Sequence, residues 1–144
     1  MLKLRYFLCL VIPLLISCSD SEEKEYVNVP LDFAIPSNFP SVAYNIEGNR
    51  PTEKGFELGK KLFYDGRLAS DGLVSCGFCH LQANAFTHHG HTVSHGVDNA
   101  TGTRNAPPIQ NMAFQPIFMY DGTAENLDLQ PIIPLTSVIE MNGD

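Results

Sequence analysis

No stretch of this 144-residue sequence carries the roughly 20 consecutive apolar residues that a membrane-spanning helix needs. Basic residues are scarce: 9 Lys and Arg stand against 16 Asp and Glu, a formal charge of −7. That balance excludes a nucleic-acid partner, because neutralising phosphates requires clustered positive charge. A basic partner protein would instead be attracted. Only four cysteines occur, and each has a separate task below, so no structural disulfide is expected. Internal repeats and low-complexity runs are lacking, and strand signals are few. What remains reads as one small domain, mainly α and loop-rich.

The N-terminus reads as a targeting segment. Lys3 and Arg5 form a positive n-region, and Tyr6 to Ile16 an apolar stretch too short to span a bilayer. Leu15-Ile16-Ser17-Cys18 resembles a bacterial lipobox, which makes 1–17 a lipoprotein signal peptide and Cys18 the lipidated first residue of the mature chain. The alternative is ordinary signal-peptidase cleavage with Cys18 incidental. Cys9 leaves with the leader, and so do Lys3 and Arg5, which makes the mature chain still more acidic. The expected address is the periplasm or cell envelope, with the lipid holding the protein to the membrane. Residues 18–51 then form the anchor, an acidic tether from Ser19 to Tyr26, and a strap from Val27 to Pro51. Pro30, Pro36, Pro40 and Pro51 exclude a long helix from that strap. Leu31, Phe33, Ile35, Phe39 and Val42 are the side chains expected to tack it down.

Residues 52–144 read as the folded domain. Thr52 is an N-cap, Glu53 lies in the first turn, and Phe56, Leu58, Leu62 and Phe63 recur at helical spacing until Asp65-Gly66. Asp71-Gly72 predicts a turn, and a short helix is expected from within the next motif to about Ala85. The Gly- and His-rich run from His88 to Thr103 predicts a long loop. A short helix is expected around Ile109 to Phe114. A further helix is expected over Ala124 to Gln130, broken by Pro131 and Pro134.

That motif is Cys76-Gly77-Phe78-Cys79-His80. Two thiols separated by two residues reach the vinyl groups on one edge of a porphyrin, and the histidine that follows falls under the iron. The pattern is the attachment signature of a c-type haem, one per such motif. Two other readings compete. A zinc site would need a second ligand pair, and the mature chain has no further cysteine pair. A redox dithiol should follow an apolar strand, whereas this one follows Ser70-Asp71-Gly72. All five histidines fall between His80 and His95. His88, His89 and His91 read as solvated loop residues.

From Glu57 to Met141 the chain resembles the N-terminal haem domain of the bacterial di-haem cytochrome c peroxidases, a family shared with the methylamine-utilisation di-haem enzymes. The matching pieces run in the family's order. They are Leu58-Gly59 with Leu62-Phe63 and Asp65, Arg67-Leu68-Ala69-Ser70, the haem motif, and Ser94-His95-Gly96. Arg104-Asn105-Ala106-Pro107, Asn111, Tyr120-Asp121-Gly122, Leu127 with Gln130-Pro131, and Glu140-Met141 follow. The resemblance implies a cytochrome c-like domain in which Cys76 and Cys79 bind the peroxidatic haem and His80 is its proximal ligand. His95 would be the distal ligand of the resting state, leaving on reductive activation. Glu140 would be the acid–base catalyst, with Gln130 beside it. Asn105 matches a position near a calcium site, and Tyr120 a position on the electron route between haems.

Family members usually carry Trp at the position of Tyr120, and this sequence has no tryptophan at all. Thr123 stands where Arg is usual. Both departures bear on electron transfer between haems rather than on the haem itself. The family continues into a second haem domain with its own C-x-x-C-H, and this sequence holds one such motif. The expectation is therefore a peroxidatic half: hydrogen peroxide is the substrate, a small cytochrome c or other redox protein the electron donor, and a homodimer is compatible with it. The alternative is a mono-haem electron-transfer lipoprotein, and a third reading is an oxidase acting on a partner protein. The intact mass of native protein from the membrane fraction checks these readings. Residues 18–144 with lipid and one haem would favour the carrier. A heavier chain with two haems would favour the peroxidase, and a mass without haem would remove both.

Overall fold

The computed structural model describes residues 27–143. The leader, Cys18 and the acidic tether lie outside the described residues. Among those described, helices and 3₁₀ turns are the only regular elements, joined by long loops and four isolated antiparallel bridges.

Helix α1, Glu53–Phe63, begins as its spacing predicts. Thr52 is extended, and its hydroxyl accepts the Gly55 N–H at 3.1 Å. Glu53 opposes the helix dipole in the first turn, and Lys60 and Lys61 do so in the last. Phe63 meets the ring of Tyr64 edge-on at 4.9 Å and that of Phe86 at 6.2 Å. Tyr64 in turn lies against helix α2, Cys76–Cys79. A Cβ on Gly77 would come within 2.5 Å of the Tyr64 ring, so only glycine lets the motif approach α1 this closely.

The core sits directly behind that motif. Ala69, Val74, Val97 and Met141 are buried together, with Leu68, Cys76 and Leu135 packed on them. The Ser70 N–H donates to the Met141 carbonyl at 2.9 Å and closes this cluster across the chain. A second buried pair, Phe118 and Ala124, is joined by reciprocal backbone bonds of 2.7 and 3.3 Å around the turn at Tyr120–Gly122.

The strap carries no regular structure beyond one 3₁₀ turn, Glu47–Asn49. It is fastened at α1 by Leu31 N–H to Pro51 O and Glu53 N–H to Val29 O, each 2.9 Å. Farther along, the N–H groups of Ala43 and Tyr44 both donate to Ala113 O, and the Phe39 ring lies 5.0 Å from Phe114. Of the side chains expected to tack it down, Leu31 and Val42 are half-buried, while Phe33 and Ile35 stay exposed.

Two expected elements differ. The motif helix ends at Cys79 instead of running to Ala85, and Gln82–Asn84 is a separate 3₁₀ turn. Leu81 pairs with Thr87 in a bridge, and Ala85 and Phe86 both adopt the left-handed conformation, φ 56° each. That reversal is incompatible with a continuing helix. Second, residues 127–130 form turns, and helix α3, Ile132–Thr136, starts where the prolines were expected to break one. Pro131 and Pro134 fall at its start, where backbone N–H groups need no intrahelical partner. Met112–Phe114 does form a short turn, of 3₁₀ type. Replacing Thr52 with Ala is expected to lower stability by about 1 kcal/mol, with Thr52→Ser close to wild type, in chemical denaturation.

Candidate haem-binding site

The single turn of α2 puts Cys76 and Cys79 three residues apart, and therefore on one face. Both are half-buried and neither is in a disulfide. Burial pushes both thiols up; for Cys79, aided by the nearby Glu140 carboxylate and Cys76, it reaches about 11. Redox dithiols have the opposite bias, a lowered pKa that exposes thiolate, so the pair is ill-suited to disulfide exchange. The His80 N–H donates to Cys76 O at 2.9 Å as the chain leaves the helix. Its ring Nδ1 lies 2.9 Å from the Phe86 carbonyl. A carbonyl only accepts, so Nδ1 carries the proton and Nε2 keeps its lone pair for a metal.

His95 arrives from the long loop. The loop is braced by Ser94 N–H to Arg104 O at 3.0 Å, Gly102 N–H to Ser94 O at 2.8 Å and a His95–Thr101 bridge. It docks on the chain before Met141 through Val97 N–H to Glu140 O at 2.8 Å. At Gly96 a Cβ would stand 2.1 Å from the Ile139 carbonyl oxygen, which admits nothing larger than glycine. The His95 carbonyl accepts the Cys79 thiol at 3.5 Å, so the backbone before this docking point rests on the motif.

The loop histidines are more organised than the solvated residues the sequence suggests. His88 and His91 have ring centroids 4.5 Å apart, and His91 and His95 5.0 Å apart. The Nδ1 atoms of His88 and His95 are buried without a hydrogen-bond partner. Burial and the neighbouring His91, His89 and His95 lower the pKa of His88, favouring the neutral ring. Among the described residues, no three His, Cys, Asp or Glu side chains are arranged to hold a metal ion by themselves.

Glu140 is half-buried, and burial raises its carboxyl above the ordinary range, while the neighbouring His80 opposes this. Cys79 and His80 both interact electrostatically with it, so carboxyl and motif share one neighbourhood. The Gln130 amide donates to Met119 Sδ at 3.2 Å. The Asn105 amide donates to His88 O at 2.8 Å, and its oxygen accepts the Ala106 N–H. Tyr120 is 81 % exposed, with the Arg104 guanidinium 4.8 Å above its ring and Arg104 paired with Asp121 at 3.4 Å. Thr123, through its hydroxyl and N–H, and then Arg104 hold the Asp121 carboxyl low.

These residues fit a covalently held haem. Two thiols share a face, one imidazole presents a free Nε2, and a second carries a buried nitrogen in want of a partner. Apolar Phe78, Leu81 and Ile139 are left partly exposed around them. Sequence reasoning missed the Phe86 carbonyl and the histidine cluster, which no local pattern signals. The only trace of the docking at Glu140 was the glycine after His95.

Comparison with known proteins agrees with the geometry. The model of the family described as di-haem cytochrome c peroxidase matches residues 53–144. The methylamine utilization protein MauG of Methylorubrum extorquens is 32% identical over 124 residues, which cover 86% of this chain and 34% of that protein. The cytochrome c551 peroxidase of Pseudomonas aeruginosa is 34% identical over 105 residues, 72% of this chain and 30% of that one. The crystal structure of a MauG-like protein associated with microbial copper homeostasis superposes with a TM-score of 0.70 at 35% identity, over 79% of this chain and 33% of that one. The chain thus spans about a third of the length of these relatives. In haem-free folded protein, alkylation of Cys79 is expected to stay slow near neutral pH and to rise only as pH approaches about 11. In denaturant it should follow an ordinary thiol, near about 8.5. An ordinary profile in the folded protein would mean that the thiol is not sheltered.

Proposed function

This chain belongs to the di-haem cytochrome c peroxidase family, and from that premise we propose that it supplies the peroxidatic haem half of an enzyme reducing hydrogen peroxide. Each peroxide takes two protons and two electrons to give two waters, and a small cytochrome c or similar redox protein is the electron source. Cys76 and Cys79 would hold the haem, His80 Nε2 would ligate its iron, and His95 would be the second, detachable ligand. When bound, the haem supplies the iron at which peroxide is reduced and the path by which electrons reach it.

The observation that carries this reading is the Glu140 carboxyl, half-buried and raised above its ordinary range beside Cys79 and His80. Cleaving an O–O bond needs a proton moved from the inner oxygen to the outer one. A carboxyl whose pKa is raised towards neutrality both takes and returns that proton more readily than a fully solvated one. The bond from Val97 N–H to Glu140 O ties the acid's backbone to the segment that carries His95, which supports a loop that acts as a gate beside the acid.

Tyr120, exposed under the Arg104 guanidinium, is the proposed relay for electrons entering from outside this domain. The cation above the ring disfavours a positive charge there and resists the ring's oxidation, so transfer through it depends on the phenolic proton leaving. Asn105 remains the proposed calcium neighbour. Cys18 is the proposed lipid anchor to the envelope membrane; among the described residues no helix is long and apolar enough to cross a membrane.

Glu140→Gln tests the reading in the haem-loaded protein. Peroxide-dependent donor oxidation is expected to fall by about 10²–10⁴-fold with haem content and absorption spectrum unchanged. Undiminished turnover in that variant would remove Glu140 from the chemistry, and a wild-type protein without peroxide turnover would favour the electron-carrier alternative.

A further inference from the structure

The hydrogen bond that orients His80 ends on an improbable acceptor. Phe86 and the preceding Ala85 both sit in the left-handed region at φ 56°, a strained conformation for a non-glycine residue. Two such residues in succession persist only where the surroundings hold them. Inside the loop the holding bonds are Phe86 N–H to Leu81 O at 2.9 Å, Leu81 N–H to Thr87 O at 3.0 Å and Thr87 N–H to Asn84 O at 3.2 Å.

The remaining grip comes from a segment nearly twenty residues away in sequence. The Thr87 hydroxyl donates to the Ala106 carbonyl. Next to it, the Asn105 amide donates to the His88 carbonyl at 2.8 Å. Residues 105 and 106 thus clamp the two residues that immediately follow the Phe86 carbonyl. The residue before them, Arg104, uses its carbonyl to accept both the N–H and the hydroxyl of Ser94, at 3.0 and 3.2 Å, one position before His95. Three consecutive residues therefore hold both the arm that ends on His80 Nδ1 and the loop that carries His95.

We propose that Thr87 is the positioning residue of the proximal histidine: its bond to Ala106 keeps the Phe86 carbonyl on His80 Nδ1–H, and through residues 104–106 it links the setting of His80 to that of the His95 loop. The inference rests on the reading that His80 ligates haem iron. A hydrogen bond accepted from Nδ1–H makes Nε2 a stronger donor, which favours the oxidised metal and lowers its reduction potential. Releasing the carbonyl weakens that donation. The threonine has no part in the proton transfer and acts only through His80.

The test uses haem-loaded protein carrying Thr87→Val, which keeps the shape and removes the hydroxyl, with Thr87→Ser as the conservative partner. Covalent haem is measured by pyridine haemochrome and the midpoint potential by spectroelectrochemical titration. The expected result is full haem content with the potential shifted upward in Thr87→Val and returned to the wild-type value in Thr87→Ser. Turnover should fall about 10-fold in the valine variant, within the range that outer-shell partners of metal ligands command. Asn105→Ala removes the neighbouring bond to the His88 carbonyl, leaves that of Thr87, and should shift the potential the same way by less. An unshifted potential in haem-replete Thr87→Val overturns the proposal, and so does an unshifted Asn105→Ala if the valine variant does not fold. A wild-type protein that takes up no haem removes the underlying haem reading instead.

Discussion

The bond from His80 Nδ1 to the Phe86 carbonyl is the constraint around which this domain is arranged. It needs the motif helix to stop after one turn, because a helix continuing past Cys79 would carry His80 and Phe86 apart. It needs a chain reversal within six residues, which the Leu81–Thr87 bridge and two left-handed residues provide. It also needs that reversal to be held from outside, which brings in residues 104–106. The long histidine-rich loop is pinned by the same segment through Ser94. His80, loop and clamp form one hydrogen-bonded unit rather than three neighbouring features.

Behind that unit the apolar core is small. Ala69, Val74, Val97 and Met141 form its buried centre, while Phe56, Leu58, Leu62 and Tyr64 of the α1 region remain exposed. A domain of this size gains limited stability from burial alone, and small folds are commonly reinforced by covalent or metal staples. Two thioether bonds and an iron ligand at Cys76, Cys79 and His80 would reinforce the fold at the point where the core, α1 and the loop meet. Packing there is close enough that Gly77 and Gly96 tolerate no side chain.

The carboxylates of the described residues diverge. Asp65 is pulled down to about 2 by Arg67, and Asp121 and Asp128 are held low by hydrogen bonds from Thr123, Arg104, Tyr44 and Asn49. Those carboxylates are surface anchors that stay ionised. Glu140 moves in the other direction because it is half-buried and lacks such donors. An acidic protein has many carboxylates, and environment rather than residue type separates the one suited to carrying a proton from those that fasten turns.

The sequence by itself determined the motif on which the proposed haem attachment rests and the local starts and stops. Cys76, Cys79 and His80 are legible because the haem motif is a local spacing. Thr52 and α1 are legible because capping and amphipathic period act within a few residues. The ordered pieces from Leu58 to Met141 were enough to identify the family. The tertiary structure alone decided where the motif helix ends, that Pro131 and Pro134 lie at the start of a helix rather than break one, and that His88 and His91 gather beside His95. It also decided that Glu140 is sheltered and that Thr87 reaches Ala106. Each of these depends on groups brought together across many residues of chain, on a left-handed backbone at non-glycine positions, or on burial. A periodicity or a propensity, which senses only neighbours in sequence, carries none of that information.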